Sequence, residues 1–136
     1  MNTQPVAPQL FATSPALRLL AGRHRESGRL VFPLPADRDT YASVELPERG
    51  TLWSYTVQRF APKSPPYRGA EPFSPFAVGY IDLPGALIVE SRLTDVEFDQ
   101  LRVGQPMELT TMPLRVEADG TVITIYAFRP ARAERA

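Results

Sequence analysis

Fifteen prolines are spread along this chain from Pro5 to Pro130 rather than gathered in one tract. Proline fixes φ and has no N–H to give, so it interrupts helices and central strands. Such a chain must fold from short elements joined by tight turns.

The runs between the prolines read mainly as β. Thr51-Leu52-Trp53-Ser54-Tyr55-Thr56-Val57 is dense in aromatic and β-branched residues, and on simple alternation Trp53, Tyr55 and Val57 share one face. Further strand patterns cover 76–83, 86–91, 107–116 and 121–128, and the Pro84-Gly85 and Asp119-Gly120 turns make hairpins of the second with the third and the fourth with the fifth. Between the third and fourth strands, Thr94-Asp95-Val96-Glu97 reads as a capping box and Gly104 as a stop, predicting one short helix or helical turn. Asp95, Glu97 and Asp99 are assigned to its N-terminus and to solvent rather than to catalysis. Five strands in this order, with a long first loop, predict an oligonucleotide/oligosaccharide-binding (OB) barrel over residues 50–130, preceded by other elements and followed by a tail at 131–136.

Ahead of the barrel, residues 1–13 have little periodicity and read as a flexible arm. Ser14 suits an N-cap, Pro15 the first helical position and Gly22 a C-terminal stop, so the sequence predicts a short helix over 14–22. Its apolar residues Leu17, Leu19 and Leu20 face either the domain's own core or a partner protein. Residues 23–49 alternate charged turns with the short apolar runs Leu30-Val31-Phe32 and Pro33-Leu34-Pro35, which suggests a small hairpin-like knuckle.

The 136 residues fit one domain. With no cysteine there is no disulfide, thiolate metal site or cysteine nucleophile. Fifteen basic and fifteen acidic side chains cancel, which weighs against general capture of nucleic acid. The signs are unevenly spread, however: residues 1–70 carry nine basic and five acidic groups, and residues 71–136 six basic and ten acidic. The first eight residues lack a signal peptide's basic region and apolar core, and no run approaches the ~18 apolar residues of a membrane span, so the expected location is the cytoplasm. One histidine, no Walker loop and no His-Glu-x-x-His leave nucleophilic triads and zinc hydrolysis without their parts, so the expectation is a protein without catalytic residues of its own.

Phe32-Pro33 after a glycine turn, Arg49-Gly50-Thr51-Leu52-Trp53, Pro75 to Leu83, Val103-Gly104-Gln105-Pro106-Met107-Glu108 and Tyr126-Ala127-Phe128-Arg129-Pro130 occur in an order that resembles a family long labelled domain of unknown function thirty-five. Members of that family join an N-terminal helix, a rubredoxin-like zinc ribbon and an OB-fold. The resemblance runs from about Leu17 to Pro130. It implies an accessory subunit of acyl-CoA metabolism that docks on a thiolase-like, ketoacyl-synthase-like or hydratase-like enzyme. By register, the family's four ribbon cysteines fall on His24, Ser27, Arg38 and Tyr41. One imidazole, a hydroxyl, a guanidinium and a phenol are not a tetrahedral zinc set, so the ribbon is expected to be degenerate and metal-free, with Tyr41 packed where the metal was and Arg38 paired with Glu26 or Asp37. His24, alone in a charged turn, reads as a solvated side chain before it reads as a ligand or base.

Guanidinium groups recognise phosphate through paired N–H donors. Arg23, Arg25, Arg59, Lys63 and Arg68 are therefore the candidate contacts for the phosphates of an acyl-CoA ligand, with no tightly bound cofactor expected. Leu17, Leu19, Leu20, Pro65 and Tyr67 are the candidate docking residues for the enzyme partner, and a homodimer stays open. Trp53, Tyr55, Phe76, Tyr80, Tyr126 and Phe128 are read mainly as barrel core, with Trp53 and Tyr67 the ones to inspect for exposure. The same aromatics carry the alternative reading, a single-stranded nucleic-acid binder on an OB-fold.

Overall fold

A computed structural model describes residues 3–6, 10–13, 16–59 and 74–131. Among them are ten strands: β1 Thr3–Pro5, β2 Phe11–Ala12, β3 Arg18–His24, β4 Leu30–Val31, β5 Tyr41–Glu45, β6 Arg49–Gln58, β7 Phe76–Asp82, β8 Ile88–Leu93, β9 Pro106–Val116 and β10 Val122–Pro130. The only helical element among these residues is a 3-10 turn at Phe98–Gln100.

The last five strands close a barrel. β6, β7 and β8 form an antiparallel meander, β8 pairs in parallel with β10, β10 pairs antiparallel with β9, and β9 returns to β6 through Arg49↔Glu108, Gly50↔Met107 and Thr51↔Pro106. Leu52, Ile81, Met107 and Phe128 are fully buried in one core cluster, which fits an OB barrel filled by its own side chains. At Gly50, where β6 crosses under the end of β7, an added Cβ would lie 2.5 Å from the Asp82 carbonyl oxygen, so only glycine permits this closure. The two hairpin turns fall where the sequence places them, with Gly85 and Gly120 at φ 71° and 88°.

The predicted helix over 14–22 is instead the strand β3. Its cap residues Ser14 and Pro15 lie outside the described residues. From Arg18 onward the backbone pairs with β2 and β4 on one side and with β5 on the other, in one small sheet. Leu19 and Ala21 are fully buried in the core shared with the barrel. β2 and β4 pair with its two ends and β5 runs along Leu20–His24, giving this short segment ladder partners, whereas an isolated helix of that length is marginal. Gly22 serves close packing rather than a helix end: a Cβ there would meet the Pro35 ring at 2.7 Å.

The capping box at 94–97 does not form. Asp95 sits at φ 58° and ion-pairs with Arg129 at 3.6 Å, and Glu97 precedes the 3-10 turn without a side-chain cap. Only Asp99 lies in a first helical turn. One three-residue turn was the shorter of the two outcomes the sequence allowed.

Candidate functional site

Three features of the surface are candidates for function: the paired loops of the small sheet, a groove between that sheet and the barrel, and an aromatic face on the barrel's outside.

The paired loops match each other bond for bond. In the first, the backbone N–H groups of Glu26 and Ser27 both donate to His24 Nδ1 at 3.2 Å, and the Gly28 N–H returns to the His24 carbonyl at 2.8 Å. In the second, the N–H groups of Asp39 and Thr40 both donate to Asp37 Oδ1 at 3.1 Å, and the Tyr41 N–H returns to the Asp37 carbonyl at 3.1 Å. The counterparts of His24 and Ser27 are thus Asp37 and Thr40, one residue before the Arg38 and Tyr41 that the sequence register assigned. The signal was present as the thirteen-residue spacing of His24-x-x-Ser27 and Asp37-x-x-Thr40.

The Tyr41 ring stands edge-on to His24, with ring centres 5.3 Å apart. Arg38 does not pair with Glu26 or Asp37. Its Nε donates to the Pro35 carbonyl at 3.1 Å, and its own carbonyl accepts Arg25 Nη2 at 2.8 Å. The Thr40 hydroxyl, donating to Asp37 Oδ2 at 2.6 Å, holds the exposed Asp37 carboxyl below its ordinary range, with the Thr40 N–H adding to the effect. As donors for zinc these groups do not fit. One imidazole, two hydroxyls and a carboxylate already occupied by N–H and O–H donors lack the convergent thiolate or imidazole set, and no group of three or more His, Asp or Glu side chains among the described residues could hold a metal.

The groove encloses about 690 Å³ and is lined chiefly by Phe32 and Pro33 from the small sheet and Phe76, Val78, Ile88 and Tyr126 from the barrel. Tyr126 joins the two bodies, edge-on to Phe32 at 5.6 Å and to Phe11 at 6.5 Å, with its hydroxyl donating to the Glu90 carbonyl at 2.8 Å. Burial, then the Glu90 charge, pushes its phenol up to about 12. Arg92 stacks over the Phe76 ring at 3.6 Å.

On the barrel's outside, a β-bulge between Leu52 and Ser54 breaks the expected alternation. Tyr55 and Val57 lie in register with Gly79 and Ala77, but Tyr55 is not barrel core: it keeps 37% of its surface exposed, with its hydroxyl donating to the Leu101 carbonyl at 3.3 Å, while Trp53 is turned out and stands edge-on to Tyr80 at 6.3 Å. Bulges re-aim side chains in this way. Trp53 keeps 58% of its surface exposed and Tyr80 44%, while Phe128 is fully buried.

Three of the five predicted phosphate contacts are among the described residues, two at the first loop of the small sheet and one just after β6. Arg23 donates to the Gly28 carbonyl at 3.3 Å, Arg25 is engaged on Arg38, and Arg59 lies 5.8 Å from the centre of the Phe98 ring at the far end of β6. Lys63, Pro65, Tyr67 and Arg68 lie outside the described residues. Of the predicted docking residues, Leu19 is fully buried, and Leu17 and Leu20 are half-buried, so the small sheet's leucines serve packing and do not form an open face.

Comparison with known proteins bears on this arrangement. The profile of the ChsH2 C-terminal OB-fold domain matches residues 43–111, from β5 through most of the barrel. The chain belongs to this family. A relative within reach of this ChsH2-type chain, a DUF35 domain-containing scaffold protein of Pyrococcus furiosus, is 29% identical over 119 residues, covering 83% of each chain. A solved structure described as the Ltp2-ChsH2(DUF35) aldolase superposes with a TM-score of 0.61 at 22% identity over 83% of this chain and 84% of that one, which supports the fold. No helix among the described residues of this ChsH2-family chain is long and apolar enough to cross a membrane.

Proposed function

We propose that this protein is a non-catalytic accessory subunit of acyl-CoA metabolism. It docks in the cytoplasm on a thiolase-like, ketoacyl-synthase-like or hydratase-like enzyme and helps to position the CoA substrate. The observation that carries this reading is the similarity to the scaffold protein of Pyrococcus furiosus, which extends over 83% of both chains and therefore exceeds the length of the barrel alone. In this reading the small sheet folds without zinc, its loops tied by the His24 and Asp37 acceptors. Arg23, Arg25 and Arg59, together with Lys63 and Arg68, remain the candidates for CoA phosphates.

Co-expression with each CoA-dependent enzyme encoded beside it, followed by size-exclusion chromatography, tests the role. Joint elution with one of them is expected, and separate elution from every one overturns it. Metal analysis of protein purified without a polyhistidine tag is expected to find no stoichiometric zinc; about one tightly bound equivalent would overturn the metal-free ribbon.

A further inference from the structure

The outer face of β6, β7 and β8 joins exposed aromatics to carboxylates that have no ion-pair partner among the described residues. Cross-strand register sets Tyr80 between Ser54 and Glu90, and Asp82 opposite Ile88, so Tyr80, Asp82, Ile88 and Glu90 share one face with the turned-out Trp53. Trp53, Tyr80 and Ile88 are 58%, 44% and 47% exposed. Asp82 and Glu90 are exposed as well, and neither has a cation within ion-pair distance among the described residues.

Two residues further along the same face, the fold stacks Arg92 over Phe76 at 3.6 Å. The Trp53–Tyr80 pair offers a guanidinium the same kind of ring surface, and its carboxylates are close enough in register to pair with that charge. Tryptophan is the strongest ring for this contact, and arginine the side chain that both stacks and pairs with carboxylate through a planar fork. The same carboxylates repel phosphate, so the face disfavours a nucleic-acid strand.

We infer that this face docks an arginine-bearing segment of a partner protein, with the guanidinium over Trp53 and Tyr80 and its charge met by Glu90 and Asp82. The inference rests on the accessory-subunit reading above and names the surface through which that subunit is held. Charge complementarity selects the occupant, and it agrees with the acidic excess of residues 71–136, ten acidic against six basic groups.

The chain has a single tryptophan, so its fluorescence reports on this face alone. Titration of the full chain with hexa-arginine is expected to give a saturable change in emission that weakens with salt. Hexa-citrulline, which keeps the shape and loses the charge, gives none. The exposed-site variants Asp82→Asn/Glu90→Gln and Tyr80→Ala are each expected to weaken binding by about tenfold or more. No saturable response, an equal response to hexa-citrulline, variants that bind like the wild type, or tighter binding of oligothymidylate overturns the inference. The two proposals separate cleanly: a complex with the neighbouring enzyme that survives Tyr80→Ala and Asp82→Asn/Glu90→Gln refutes this face but not the accessory role. Hexa-arginine binding without any such complex refutes the role but not the face.

Discussion

Single side chains hold the turns of this protein, and their titration makes that visible. Asp37 and Asp119 are exposed carboxylates that accept hydrogen bonds from residues just after them. The Thr40 hydroxyl depresses Asp37 most, and the Thr121 N–H depresses Asp119 most, both below the ordinary 3.8. A carboxyl with a depressed folded-state value contributes stability that is fully present above its unfolded value and is lost as pH falls through the folded one. Urea midpoints are therefore expected to drop as pH falls below about 4, and Asp37→Asn should flatten that slope. Tyr126 behaves oppositely. Its phenol, raised from 10.0 to about 12, favours the neutral form, so its contribution is complete below 10 and lost as pH rises towards 12. Tyr126→Phe is expected to remove this alkaline loss while destabilising the neutral protein by about 1 kcal/mol through the missing bond to the Glu90 carbonyl.

At the scale of elements, β3 decides how the N-terminal region attaches to the barrel. Leu19, the second residue of the strand, is fully buried in the common core. Leu19→Ala is expected to lower unfolding stability by about 2–5 kcal/mol by denaturant titration, which an exposed docking leucine would not do. The barrel strands were legible because aromatic and β-branched runs and glycine turns are local signals, and all five lie within two residues of their expected ends. β3 was not legible, because Leu17-Arg18-Leu19-Leu20-Ala21 suits a helix by local preference and becomes a strand only through neighbours distant in sequence, β2, β4 and β5. The aromatic face was hidden for a related reason. The bulge that parts Trp53 from Tyr55 adds one residue to β6 against β7, and alternation cannot register an insertion that depends on the partner strand. The likeness of the two loops was hard to read from the sequence because their acceptors differ in kind, an imidazole at His24 and a carboxylate at Asp37, although each takes the N–H groups two and three residues on.

For the molecule as a whole, closure depends on β9, which pairs with β10 along its length and meets β6 over only three residue pairs. Glu108 stands at that seam, reaching Arg129 at 3.4 Å and Arg49 at 3.9 Å, with its side chain only 16% exposed. Glu108→Ala is expected to lower stability by about 1–3 kcal/mol in thermal or urea unfolding, more than a surface ion pair contributes, because two guanidinium groups lose a half-sequestered counter-charge. Beyond the seam, residues 110–116 of β9 pair with β10 on one side and with no other strand among the described residues. That leaves a bare strand margin of the sort that templates fibres, and the chain sets Pro113, which has no N–H to extend a ladder, and the charged Arg115 within it. The prolines did not confine this fold to short pieces, since β6, β9 and β10 run to ten, eleven and nine residues, and Pro113 inside the longest of them falls on the stretch that only one neighbouring strand covers among the described residues.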